Sequence, residues 1–355
     1  MRKFLFLFVL SLFVIVVNAQ SDFDIAQSFM SKKGVKLADN PSNRRVAVNE
    51  PYKVFKGEQD KGFAIVVNGK IVGYSTESKC HEVPPQLKEM LESYAQYTNE
   101  SGNHRAYPSW FTPRHVTSIE PLIKTKWGQG YPFNKNLNKS GICGVVAFAQ
   151  VFHYYKVSRA TCEINYNGKV LQPTTFDHSK MINFYNYGYT QEQADEVAKL
   201  YEYIYGCDVS EAVFSIKKKI YYYTSHNLSV FESLDSCLEK SRPLATMGGG
   251  SGGSAHYFVI DGRDSDGLYH VNFGWDGSYD GYYIFTDNAM EHANMIGNGI
   301  TYNNLCNYFA CASVDVFLDG FLTSVNEVKV NHHNKAPYKL VGDIYIKGGK
   351  KYIKR

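Results

Sequence analysis

Cys143-Gly-Val-Val-Ala-Phe-Ala-Gln150-Val-Phe-His-Tyr-Tyr155 is apolar on nearly every side, through Val145, Val146, Ala147, Phe148, Val151, Phe152 and Tyr155. A helix with that pattern is buried in the centre of a domain rather than laid on its surface. Cys143 stands at the start of the run. There the unpaired N–H groups and the helix macrodipole favour a thiolate over a thiol. An isolated cysteine in an apolar run is ordinarily a core residue. What sets this one apart is a second segment, Ser254-Ala-His256-Tyr-Phe-Val-Ile-Asp-Gly262, which carries a histidine at the start of a strand-like stretch. A lone cysteine at a helix start with a histidine on a distant strand is the layout of a cysteine nucleophile and its base.

Two further segments complete a constellation. Lys126-Trp127-Gly128-Gln129 precedes the cysteine, and His270-Val-Asn272-Phe273-Gly274-Trp275 follows the histidine. Thiolate attack on a carbonyl needs donors for the developing oxyanion. The Gln129 side-chain amide and the backbone N–H of Cys143 are the candidates. Asn272 is expected to hold the imidazole in its working tautomer; the alternative is a turn residue, with a nearby backbone carbonyl orienting His256. The run Gly248-Gly-Gly-Ser-Gly-Gly253 lacks the Gly-Lys-Ser/Thr ending of a phosphate loop. Its expected role is to let a substrate backbone approach His256. Gly253, Ser254, Ala255, Phe273 and Trp275 are therefore the expected substrate-contacting residues, with Trp275 a wall over the dyad. His270 reads as half-buried structure. Asp264-Ser-Asp266-Gly267 has an incomplete calcium-ligand series and reads as an Asp-Gly turn.

With 44% hydrophobic residues in 355, the chain can build a sizeable core and two domains. A net charge of +4 without a long basic run gives no reason to expect nucleic acid or an anionic membrane as partner. Of the seven cysteines none shows Cys-x-x-Cys spacing, so neither metal nor cofactor is expected. An odd count in an exported chain leaves a thiol unpaired, as a reactive Cys143 would be. Export is expected from residues 1–19. Arg2 and Lys3 precede an apolar run from Phe4 to Val17 with small residues behind it, a secretory signal peptide too short for a comfortable membrane span.

Segment 20–100 reads as a small α+β unit. Ile25, Ala26, Phe29 and Met30 share one helical face. Gly62–Tyr74 reads as a hairpin about the Asn68-Gly69 turn. Leu87, Met90, Leu91 and Tyr94 repeat at the spacing of an amphipathic helix. Residues 101–118 are a polar linker open to proteolysis. From residue 119 to 322 a second domain follows, whose best-marked helix starts at Thr190 with Gln193 completing a capping box. Its buried stripe is Ala194, Val197, Ala198, Tyr201, Ile204 and Tyr205, and Gly206 ends it. Beyond Pro243 the pattern turns to strands. Residues 323–355 read as a small extra β unit, either a basic edge hairpin or a sorting tail for the cell surface.

Taken together the segments resemble the streptopain family of papain-like cysteine proteases. The resemblance runs from Pro121–Gln129 and Tyr131-Pro-Phe-Asn134 through Gly141–Tyr155, with Ala147, Ala149 and Gln150. It continues through Arg242-Pro243 and His256–Gly262 to His270–Trp275 and Asp280-Gly-Tyr-Tyr283. Phe63–Ser75 and Pro84–Tyr97 resemble that family's inhibitory prodomain. The resemblance implies an α+β, papain-like fold of two halves, helical and β-sheet, behind a small α+β prodomain. It also implies an exported zymogen acting on proteins or peptides, with its own prodomain as intramolecular inhibitor. The sequence departs from the family where Phe273 replaces Trp and where Gly144-Val145-Val146 replaces Val-Ala-Thr. The stretch from Gln129 to Cys143 is short and lacks the family's Cys-Pro. Two rival readings remain open: a papain-like amidase or peptidoglycan hydrolase, and a non-catalytic relative that binds proteins through the old cleft.

Overall fold

The computed structural model describes residues 21–39, 51–100, 116–137, 139–160, 163–166, 168–206, 220–223, 235, 237–249, 255–284, 313–316, 343–347 and 350–354. The signal-peptide segment 1–19, most of the 101–118 linker and most of the tail lie outside them. So do Gly253, Ser254, Cys162, Cys207, Cys306 and Cys311.

Among the described residues four α-helices are seen: α1 (Asp22–Lys32), α2 (Pro85–Glu100), α3 (Cys143–Tyr154) and α4 (Gln191–Gly206). The first strands are β1 (Tyr52–Lys56), β2 (Phe63–Val67) and β3 (Lys70–Ser75). Short pieces β4 (Arg159–Ala160), β5 (Ile164–Tyr166), β6 (Lys169–Leu171), β7 (Thr174–Thr175) and β8 (Ile220–Tyr223) follow. The later strands are β9 (Leu244–Gly249), β10 (Ala255–Arg263), β11 (Tyr269–Asn272), β12 (Gly281–Tyr283), β13 (Ser313–Val316), β14 (Asp343–Lys347) and β15 (Lys350–Lys354). Nine of the described strands form one sheet in the order β1-β2-β3-β12-β11-β10-β9-β13-β8, with antiparallel pairing. β14 and β15 pair with each other in a separate two-stranded sheet. Among the described residues no helix is long and apolar enough to cross a membrane.

Local chemistry accounts for the main elements. Asn68 and Gly69 take φ of 48° and 76°, and Val67 pairs with Lys70, so the tight turn sets the β2–β3 register. Thr190 Oγ1 accepts from the Gln193 N–H at 3.2 Å, and Gln193 Oε1 accepts from the Thr190 N–H at 2.8 Å, closing the capping box before α4. Ser21 and Asp24 build a second such box before α1. In α3, Val146, Ala147, Ala149, Val151 and Phe152 are all buried. Burying Phe152 alone contributes roughly 1.5–3 kcal/mol.

The sheet separates two cores. Phe258, Ile260, Val271 and Phe273 enter one, together with Tyr269 and Tyr283. Val259 and Ala245 enter the other, where α3 and α4 pack with Trp127 and Phe133. Strand alternation along β10 thus gives one face to a helical half and the other to a β half.

The N-terminal segment is not a detached unit. β3 pairs with β12 through Tyr74–Tyr282 and Gly73–Tyr283, extending the sheet at that edge. A Cβ on Gly73 would lie 2.7 Å from the Tyr283 ring, so only glycine permits this approach. Tyr74 stacks on Tyr282 at 5.2 Å, and its hydroxyl donates to Asp264 Oδ2 at 2.8 Å. The α1 and α2 residues Ala26, Met30, Leu87, Met90, Leu91 and Tyr94 share the core that holds Phe258 and Tyr283.

Candidate active site

Residues 119–123 run along β10 before the chain reaches Lys126. Ile119 and Arg263 exchange backbone hydrogen bonds at 2.8 and 2.9 Å, and the Ile123 N–H donates to Asp261 Oδ2 at 2.8 Å. Trp127 then anchors the segment. Its ring is fully buried among Phe133, His153, Tyr185 and Tyr201, and Nε1 donates to the Ile182 carbonyl at 2.8 Å. Gly128 is covered by Asp276, whose Oδ1 lies 2.2 Å from where a Cβ would stand. Gln129 follows, half-buried.

Cys143 is the first residue of α3, half-exposed and not in a disulfide. Ile142 precedes it without a side-chain cap, which leaves the first-turn N–H groups uncommitted to any capping side chain. Gly144 brings the helix start against β10, because a Cβ there would lie 3.4 Å from the Tyr257 ring. The chain neighbours of Cys143 and His256, Gly144 and Tyr257, therefore adjoin.

His256 sits opposite Gly248 on β10 and is 1% exposed. Its Nε2 donates to the main-chain carbonyl of Phe273 at 2.8 Å. A carbonyl only accepts, so the neutral ring carries its proton on Nε2 and keeps Nδ1 as the base lone pair. The ring stacks on Trp275 at 4.6 Å, and Trp275 stacks on Phe273 at 4.6 Å. Burial beneath these rings pushes its pKa down to about 4, against the opposing pull of the Phe273 carbonyl. In this state the imidazole is neutral near pH 7, and His256 makes no hydrogen bond to Cys143.

The Asn272 expectation needs correction. Its side chain does not meet His256; Nδ2 donates to the Thr125 carbonyl at 2.8 Å, and Oδ1 accepts from Gln150 Nε2 at 2.9 Å. The reason is strand alternation. Asn272 lies opposite Val259, on the face covered by α3, whereas Phe273 begins the loop that turns towards His256. The orienting acceptor is the backbone carbonyl, the alternative considered above. Phe273 is itself held from behind, since its N–H donates to Asp280 Oδ1 at 2.9 Å. Asp280 is 2% exposed, and burial pushes its pKa up to about 6, partly offset by His270 and Lys126.

Of the remaining sequence candidates, Ala255 opens β10 opposite Gly249. His270 Nδ1 pairs with Asp261 Oδ1 at 2.6 Å as part of the scaffold. Two residues escaped assignment to the site from the sequence. Gln150 is the fully buried amide in an otherwise apolar helix, a signal that was present, and Asp280 lies in the Asp-Gly-Tyr-Tyr run after Trp275.

Comparison with known proteins places this geometry. The peptidase C10 family matches in two overlapping stretches, residues 127–223 and 210–283, which span Gln129, Cys143, His256, Phe273 and Asp280. The thiol protease/hemagglutinin PrtT of Porphyromonas gingivalis is 24% identical over 342 residues, covering 77% of this chain but 39% of that protein. Streptopain of Streptococcus pyogenes is 44% identical over 50 residues, 14% of this chain and 12% of streptopain. The chain thus spans less than half the length of these relatives. The solved structure of a Prevotella intermedia prointerpain A fragment superposes with a TM-score of 0.55 at 24% identity, covering 76% of this chain and 96% of the fragment. That superposition shows the α+β, papain-like fold. The similarity to the peptidase C10 family thus spans residues 127–283, the stretch that carries Gln129, Cys143, His256 and Phe273.

Proposed function

We propose that the chain is an exported cysteine endopeptidase made as a zymogen, with Cys143 as nucleophile and His256 as base. The observation that carries this reading is a histidine whose Nε2 is committed to the Phe273 carbonyl so that Nδ1 is left to take a proton, and it is supported by the uncapped, half-exposed helix start at Cys143. In the reaction, Nδ1 of His256 accepts the Cys143 proton while Sγ attacks the scissile carbonyl carbon. The Gln129 amide and the Cys143 N–H donate to the oxyanion, each such donor being worth roughly 10²–10³ in kcat. As the tetrahedral species collapses, the C–N bond breaks and His256 gives its proton to the leaving amine. A thioester remains on Cys143. Water, losing a proton to His256, attacks that thioester, and the freed carboxyl product restores the thiol.

The neutral, covered imidazole is a latent arrangement on this reading. Thiolate–imidazolium pairing requires His256 to gain charge, which burial opposes. The N-terminal segment, extending the sheet at β12, acts as the intramolecular inhibitor, and cleavage within 101–118 releases it. Export through residues 1–19, a surface role for 323–355, protein substrates and the substrate contacts of Gly253, Ser254 and Ala255 belong to the same proposal. The test is the mature enzyme's activity on a denatured protein and on muropeptides, with a thiol-directed label on Cys143. Proteolysis with labelling supports the reading. Muropeptide cleavage alone favours the amidase, and absence of label on the matured protein favours the non-catalytic relative.

A further inference from the structure

Gln150 stands two turns beyond Cys143 on the same face of α3 and is completely buried. Its Oε1 accepts from Thr125 Oγ1 at 2.8 Å, from the Trp127 N–H at 3.4 Å and from Asn272 Nδ2 at 3.1 Å. Its Nε2 donates to Asn272 Oδ1 at 2.9 Å. Asn272 is 2% exposed; Oδ1 also accepts from the Gly274 N–H at 3.0 Å, and Nδ2 donates to the Thr125 carbonyl at 2.8 Å. The main chain dictates both amide orientations. The Gly274 N–H requires an oxygen and the Thr125 carbonyl requires an NH₂, so Asn272 has one orientation, and Gln150 must complement it.

This clasp joins three segments that carry the proposed chemistry. Gln150 belongs to the helix of Cys143. Thr125 and Trp127 lead directly into Gln129. Gly274 lies between Phe273, whose carbonyl holds His256, and Trp275, which covers it. We propose that Gln150, working through Asn272, is a positioning residue that sets Cys143, Gln129 and His256 in mutual register for catalysis. The proposal rests on the catalytic reading above. Displacing an active-site group by about 1 Å costs up to about 10²-fold in rate, whereas loss of generic packing lowers stability and leaves each folded molecule as active as before.

The test uses matured enzyme, with rates expressed per Cys143 titrated by a thiol label. In Gln150→Glu, the carboxylate turns an oxygen towards Asn272 Oδ1 in place of a donor. The expected result is a fall in kcat of about 10–100-fold at neutral pH with KM little changed. Activity recovers on acidification, because the protonated carboxyl again donates. Gln150→Leu shows the same fall without acid recovery. Should these variants fail to fold, Thr125→Val decides: removing one hydrogen bond of the clasp lowers kcat about 3–10-fold, with KM unchanged. An unchanged kcat per labelled site in Thr125→Val, or in folded Gln150→Glu across the pH range, overturns the proposal. Wild-type enzyme that neither labels nor cleaves any peptide counts instead against the catalytic reading itself.

Discussion

His256 Nε2 donates to the Phe273 carbonyl at 2.8 Å, so the base of the proposed dyad is oriented by main chain rather than by a side chain. A backbone acceptor cannot be deleted by substitution, but its support can. The Phe273 N–H donates to buried Asp280, and leaving that donor unsatisfied costs roughly 1–3 kcal/mol. Asp280→Ala is expected to lower both stability and kcat. Asp280→Asn, which keeps an acceptor, is expected to retain most of the activity. Steady-state kinetics alongside urea unfolding checks the pair; equal losses in both variants would remove the acceptor argument.

The covered imidazole gives a second expectation. In the precursor, the His256 ring titrates near pH 4, because burial beneath Trp275 and Phe273 disfavours its charge. After removal of the N-terminal segment, its pKa is expected to rise towards the ordinary histidine range. NMR titration of the ring protons in precursor and mature Cys143→Ala protein measures this. A pKa unchanged by maturation would contradict the latent arrangement.

Acid stability follows from the same groups, with signs that differ. His256 and His153 have folded pKa values lowered by burial to about 4 and about 3, so the unfolded chain binds their protons first. Their stabilisation is present above about pH 6.5 and is lost as the pH falls towards 4 and 3. Asp280 opposes them. Its folded pKa is raised to about 6, so its contribution is greatest in acid and declines as the pH rises from about 4 to 6. Each group contributes on the order of 3–5 kcal/mol. Asp280→Asn is therefore expected to lose stability more steeply than wild type between pH 6 and 4, measured by urea midpoints in the Cys143→Ala background. A parallel decline in the two proteins would show that Asp280 carries no such proton linkage.

Gly274 offers a steric test. It has φ of +70°, and a Cβ there would lie 2.7 Å from Val146 Cγ1 on the Cys143 helix. Gly274→Ala combines left-handed strain of about 1–2 kcal/mol with overpacking of about 1–3 kcal/mol. Both a lower unfolding midpoint and a reduced kcat are expected. Gly144→Ala, whose nearest contact would be 3.4 Å, is expected to be far milder. Reversal of that order would contradict the packing described between α3 and the Trp275 loop.

Much of this was legible in the sequence because local chemistry decided it. The Asn68-Gly69 turn, the Thr190–Gln193 box and the apolar run after Cys143 each specify an element without distant partners. The largely apolar helix implied a central position, and α3 packs against β9 and β10. What the sequence concealed depends on alternation and register. Asn272 and Phe273 are adjacent, so one residue's difference along β11 decides which of them meets His256. Asn272 turned to Gln150 because a buried amide must find partners, and the nearest were on α3 and at Thr125. The joining of β3 to β12 was likewise hidden. Edge pairing between segments two hundred residues apart leaves no local signature beyond Gly73, whose lack of a side chain permits it.

Intact mass over time tests the central claim most directly, using purified chain from Gln20 as wild type and as Cys143→Ala. The expected result is that wild type alone loses its N-terminal segment through a cut within 101–118 and then takes a thiol label at Cys143. If neither protein changes, and a cut introduced in that linker yields a fragment that still takes no label, the cysteine protease zymogen is contradicted.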